Sequence, residues 1–152
     1  GQSARLLRGS AKPHSLAEAE VLSTVAKAVI PMAIVFGVYV ITHGELGPGG
    51  GFQGGVIVAA AYILCALVFG LERAQSLISI RLTDKLPAVG VLIYAGVGVT
   101  TLLMGGGFLD YNVLNAAHPA SGQMIGMTVI ELGVGLTVAT VMITIFNEVV
   151  RE

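Results

Sequence analysis

Four apolar runs divide the chain, Val21 to Thr42, Val56 to Leu71, Leu86 to Met104 and Met124 to Phe146, and polar or glycine-rich segments separate them. A helix rises about 1.5 Å per residue and needs roughly 20 residues to cross a hydrocarbon core about 30 Å thick. The runs therefore predict an all-α protein, a four-span transmembrane helix bundle. The second run is short by that measure, and Phe52 to Gly55 are available as its first turn. Residues 1–20 read as a cytoplasmic N-terminal arm. Within the arm, Ser15 followed by Glu18 fits a capping box, and the helix begun there runs into span one with Glu18, Glu20 and Lys27 as its cytoplasmic portion. Residues 21–152 form one domain without a repeat. Glu72 to Lys85 alternates charged residues with Leu77, Ile78, Ile80 and Leu82, as expected of a segment lying along the membrane surface.

The junction between the first two runs, His43 to Gly55, holds seven glycines and one proline in thirteen positions. Glycine gives up the most backbone freedom in a helix and proline removes a donor. The segment, with Pro48, Gly49, Gly50, Gly51, Phe52, Gln53, Gly54 and Gly55 at its heart, is expected to be a shaped loop. No polar spacer precedes Val56, so the loop sits at or below the membrane surface, where its peptide groups need cover from protein or enclosed water. That demand points to partner subunits.

Composition agrees with the spans: 55% of residues are hydrophobic and 11% charged, and the mean hydropathy is +0.87. The eight basic residues add an orientation. Arg5, Arg8, Lys12 and Lys27 precede or begin span one, Arg73, Arg81 and Lys85 lie between spans two and three, and Arg151 follows span four. Short loops rich in Lys and Arg stay cytoplasmic, which predicts cytoplasmic termini and an outward glycine loop in a prokaryotic plasma membrane. The first residues are basic without an apolar core and do not read as a signal peptide; Gly1 in place of Met suggests a trimmed or engineered start. A net charge of −1 offers no basic stripe for nucleic acid.

Catalytic chemistry finds no foothold. Gly49-x-Gly51-x-x-Gly54 fits a dinucleotide fingerprint in letters alone, because that fingerprint needs a preceding strand and here both flanks are membrane spans. His43, His118 and Cys65 have no metal-ligand spacing, and no Ser-His-Asp arrangement is present. The chain is expected to be a non-catalytic subunit with no cofactor and no metal. Cys65, alone in span two, is expected to pack.

Charge inside the membrane remains. Glu131 lies inside span four, and a buried carboxylate costs several kcal/mol unless it is paired or protonated, so intramembrane acids mark ion or proton pathways. Glu131 is the leading candidate for an ion path. Lys27 near the cytoplasmic edge and His43 and Glu45 at the outer mouth of the glycine loop are lesser candidates. Asp110, Asn112, Asn115 and His118 read as loop polarity. Pro31 is expected to kink span one. Gly90, Gly96, Gly98, the pair Gly122 and Gly126, Gly133 and Gly135 offer small faces for helix packing.

His43-Gly44 followed by Pro48-Gly-Gly-Gly-Phe-Gln-Gly-Gly55 resembles the signature of the MnhB family, small membrane components of Mrp-type multisubunit Na+/H+ antiporters, which also occur in membrane-bound hydrogenases and sulfur-reducing relatives. The resemblance covers residues 25 to 150, including Glu131-Leu-Gly-Val-Gly, where the family commonly carries an acid. It departs at Glu45, where the family usually has a second histidine or a polar residue. The resemblance implies a small subunit embedded among antiporter-like membrane partners, supporting coupled Na+ and H+ movement. Two other readings stay open: a pure assembly scaffold of such a complex, and a self-sufficient homodimeric transporter with a membrane glutamate.

Overall fold

The computed structural model describes residues 16–44 and 49–151. Six α-helices and one 3-10 turn account for it: α1 (Leu16–Thr42), α2 (Gly51–Phe69), α3 (Leu71–Leu77), α4 (Ile80–Thr83), α5 (Leu86–Leu103), the 3-10 turn Tyr111–Asn115, and α6 (Pro119–Arg151). No strand occurs among the described residues. Four stretches, Glu18–Thr42, Gly51–Phe69, Ile80–Leu103 and Pro119–Arg151, are long and apolar enough to cross a membrane. Helix α1 runs without a break from Leu16 into its apolar part, with Pro31 inside it. Ser15 and the rest of the arm before it lie outside the described residues.

The helices pack in the order α1, α2, α6, α5, with α1 also reaching α6. Lipid tails are as apolar as leucine, so helices in a bilayer associate through close approach rather than through removal of surface from water. Glycine supplies that approach at each seam. A Cβ at Gly54 would lie 2.5 Å from the Gly37 carbonyl of α1, and one at Gly55 would lie 2.7 Å from the Gly135 carbonyl of α6. Gly90 of α5 sits against Gly133 and Thr137 of α6 in the same way. Ala59, Tyr62, Cys65, Ala66, Ala74 and Ile143 form a buried cluster where α2, α3 and α6 meet. Cys65 is buried there, as its packing role requires.

Three small-residue positions act differently from expectation. Gly122 and Gly126 receive the 3-10 turn instead of a second spanning helix: the Tyr111 carbonyl lies 2.5 Å from a Cβ at Gly122, and the Tyr111 ring covers Gly126. Burial, and secondarily Tyr94, push the Tyr111 phenol above its ordinary pKa. Gly96 meets nothing within 4 Å among the described residues. Between α2 and α5, the two short helices α3 and α4 bury Ala74 and Thr83 and leave Leu77 and Leu82 exposed beside Arg73 and Arg81.

Candidate functional site

The glycine segment is part loop and part helix. Gly51 to Gly55, expected to belong to the loop, form the first turn of α2, and Phe52 to Gly55 thereby extend the short second span. The propensity cost of glycine in a helix, about 1 kcal/mol per residue, is offset because Gly51, Gly54 and Gly55 are all buried against other helices. The described residues of the segment outside a helix are His43, Gly44, Gly49 and Gly50. Glu45 and Pro48 lie outside the described residues. Gly50, the N-cap of α2, has φ 127° and ψ −174°, a region open in practice to glycine alone.

This turn closes on Glu131. A Cβ at Gly44 would lie 2.6 Å from Glu131 Oε2 and closer still to Oε1, and a Cβ at Gly50 would lie 3.2 Å from Oε1. The backbone of Gly51 abuts the Glu131 carbonyl. The half-buried carboxylate is thus enclosed by bare Cα faces from both ends of the turn. Glu131 stands twelve residues into α6, about 18 Å along the helix from Pro119, so the turn is recessed well below the end of the molecule formed by α6 and the 3-10 turn.

The other candidates separate from this centre. The His43 ring stacks on Tyr39 with centroids 4.2 Å apart, and its Nδ1 lies 3.1 Å from the Tyr39 carbonyl and 3.0 Å from Thr42 Oγ1. A carbonyl only accepts, so the Tyr39 contact is a hydrogen bond when Nδ1 carries a proton. Lys27 is exposed on α1. It precedes Gly44 by seventeen residues, roughly 25 Å of helical rise, and does not meet Glu131. Asp110 accepts from Asn112 N and Nδ2 at 3.2 and 3.0 Å, Asn112 in turn accepts from Gln123 Nε2 at 3.0 Å, and Asn115 caps His118 N at 3.2 Å. These four residues are turn structure. No group of three or more potential metal-ligating side chains occurs among the described residues.

One polar pair is not anticipated by the sequence reading. Asn147 is 1% exposed, and Tyr62 Oη donates to its Oδ1 at 3.3 Å across the α2–α6 seam. Its signal lies in the register: Glu131, Gly135, Ala139, Ile143 and Asn147 follow one another at four-residue spacing along α6, and the last four are buried.

Spanning helices packed through glycine, with a carboxylate under a glycine turn, define a multi-pass helical membrane protein. Residues 21–144 match the family model described as a domain related to the MnhB subunit of Na+/H+ antiporter. A relative from Staphylococcus haemolyticus (strain JCSC1435), named "Putative antiporter subunit mnhB2", is 36% identical over 127 residues, covering 82% of this chain and 89% of the relative. Proteins of the same name from Staphylococcus epidermidis (strain ATCC 35984) and Staphylococcus aureus (strain Newman) are 35% and 33% identical over the same shares. The chain belongs to the MnhB family.

Proposed function

We propose that this chain is a non-catalytic integral-membrane subunit of a multisubunit Na+/H+ antiporter, and that Glu131 under its glycine turn contributes a carboxylate to the outer part of the ion path. Family membership and the relatives' names support the antiporter assignment over the hydrogenase and sulfur-reductase hosts. The observation that carries the role of Glu131 is its enclosure by Gly44 and Gly50. A carboxylate lodged against backbone inside a spanning helix is the kind of intramembrane acid that marks ion and proton pathways. Lys27 lies too far along α1 to neutralise it, and His43 sits at the mouth of the same turn. The termini and α3–α4 lie on the cytoplasmic side of the plasma membrane, following the basic residues.

The scaffold reading draws on the same contact, since a carboxylate gripped by a turn also holds that turn in place. The homodimeric transporter gains nothing from the relatives. Removing the gene for this chain and measuring Na+-driven proton release in everted vesicles tests the assignment. Exchange is expected to disappear and to return on complementation. Exchange that persists at the parental level would remove the chain from the antiporter.

A further inference from the structure

The end of the α2–α6 seam farthest from the glycine turn contains buried polar atoms that the other described residues leave unpartnered. Asn147 Nδ2, Thr144 Oγ1 and Gln75 Nε2 are all shut away from solvent without a hydrogen-bond partner. Asn147 and Tyr62 are 1% and 6% exposed. Turning the Asn147 carboxamide over does not relieve the deficit. In one orientation Tyr62 O–H donates to Oδ1 and the amide N–H groups are orphaned; in the other the amide donates to Tyr62 Oη and the phenolic proton loses its acceptor. Thr144 departs from its neighbours in the same sense. Thr137 donates back to Gly133 O at 2.9 Å and Thr140 to Leu136 O at 2.7 Å, whereas Thr144 makes no such bond.

We infer that this cluster is a built water site, in which the Asn147 carboxamide holds a buried water molecule beside the Tyr62 hydroxyl. Buried polar groups in folded proteins find partners, and a buried water characteristically makes about three hydrogen bonds to such groups. The unmet groups are two amide donors and a hydroxyl. Amide N–H groups repel a cation, and an anion would need a countercharge that none of these side chains carries. Water alone both accepts from the amides and donates to the hydroxyl oxygens. Gln75 follows Ala74, which packs in the same buried cluster as Tyr62 and Ile143, so α3 lies against this end of the seam.

The site is cut off from Glu131. Sixteen residues of α6, about 24 Å of rise, separate Glu131 from Asn147, and the seam between them is filled by Gly55 on Gly135, Ala59, Ala139 and Ile143. Water held at Asn147 therefore hydrates the far end of the subunit without forming a continuous file to Glu131 inside the seam.

Radiolytic footprinting in 18O-labelled water, on the assembled complex in native membranes, reads the site directly. Tyr62 is expected to incorporate label despite its burial, with exposed His118 as the dose reference, and Asn147→Leu is expected to lower Tyr62 labelling several-fold while leaving His118 unchanged. An unlabelled Tyr62 in the native complex, as when a partner carbonyl or dry packing closes the amide, overturns the proposal whether or not Asn147→Leu accumulates. Equal Tyr62 labelling in the native and Asn147→Leu complexes overturns it as well.

Discussion

Gly44 and Glu131, separated by most of the chain, touch: both carboxylate oxygens lie where a methyl group at position 44 would be. A glycine-rich turn and a membrane carboxylate are thereby one structure. The turn needs glycine at this point for space, and at Gly50 also for its backbone angle.

Gly44→Ala and Gly50→Ala are accordingly expected to harm the site while sparing the helices. Forcing a methyl into a filled space, or a side chain into a glycine-only conformation, costs roughly 1–3 kcal/mol. Each variant should lower the melting temperature of the purified complex and its exchange activity together. Full activity and unchanged melting in both would mean that the turn does not close on Glu131.

The α5–α6 seam gives a second test, because α6 is the spanning helix against which α5 chiefly packs. Thr137 donates to Gly133 O and reaches Pro87 O at 3.4 Å, and a Cβ at Gly90 would collide with its hydroxyl. Gly90→Ala should loosen α5 and make the 105–118 connection more sensitive to protease. Gly96→Ala, in open space, should be neutral or add up to about 1 kcal/mol of helix propensity. The reverse ranking of the two variants would refute this packing.

Much of this architecture is legible in the sequence, and the exceptions have physical causes. Length and hydropathy locate the spans, and the shortness of the second run correctly draws Phe52 to Gly55 into α2. The glycine count, by contrast, overstates the loop: Gly51, Gly54 and Gly55 are helical because contacts with α1 and α6 outweigh local propensity. Small-residue spacing shows that something approaches but not what. Gly122 and Gly126 thus read as a helix–helix face and instead receive Tyr111. Glu131 is visible as a charge in an apolar run, while its pairing with Gly44 depends on tertiary approach. Asn147 is hidden beside Glu148, where polarity resembles the end of a span.

Copurification follows from the open arrangement. Met32 and Leu103 are 70% and 84% exposed, and the glycine turn requires covered peptide groups. The chain is expected to copurify with several membrane subunits and to aggregate when expressed alone in detergent. A monodisperse, folded species obtained from the chain by itself would count against a complex.

Topology is checked by cysteine accessibility. Ser121→Cys, near the start of α6, should react with an impermeant maleimide added to intact cells, and Ser76→Cys, on α3, should react only after permeabilisation. Labelling of position 76 alone in intact cells would invert the protein.

The central claim, that the Glu131 carboxylate takes part in ion movement, is tested most directly by Glu131→Gln in the assembled complex. Glutamine keeps the shape beneath Gly44 and Gly50 and removes the titrating group. Exchange activity in everted vesicles is measured across pH, with subunit assembly verified on native gels. The account predicts a fully assembled complex whose Na+-dependent exchange is reduced or whose pH optimum is displaced. An assembled Glu131→Gln complex with the native rate at every pH would contradict it.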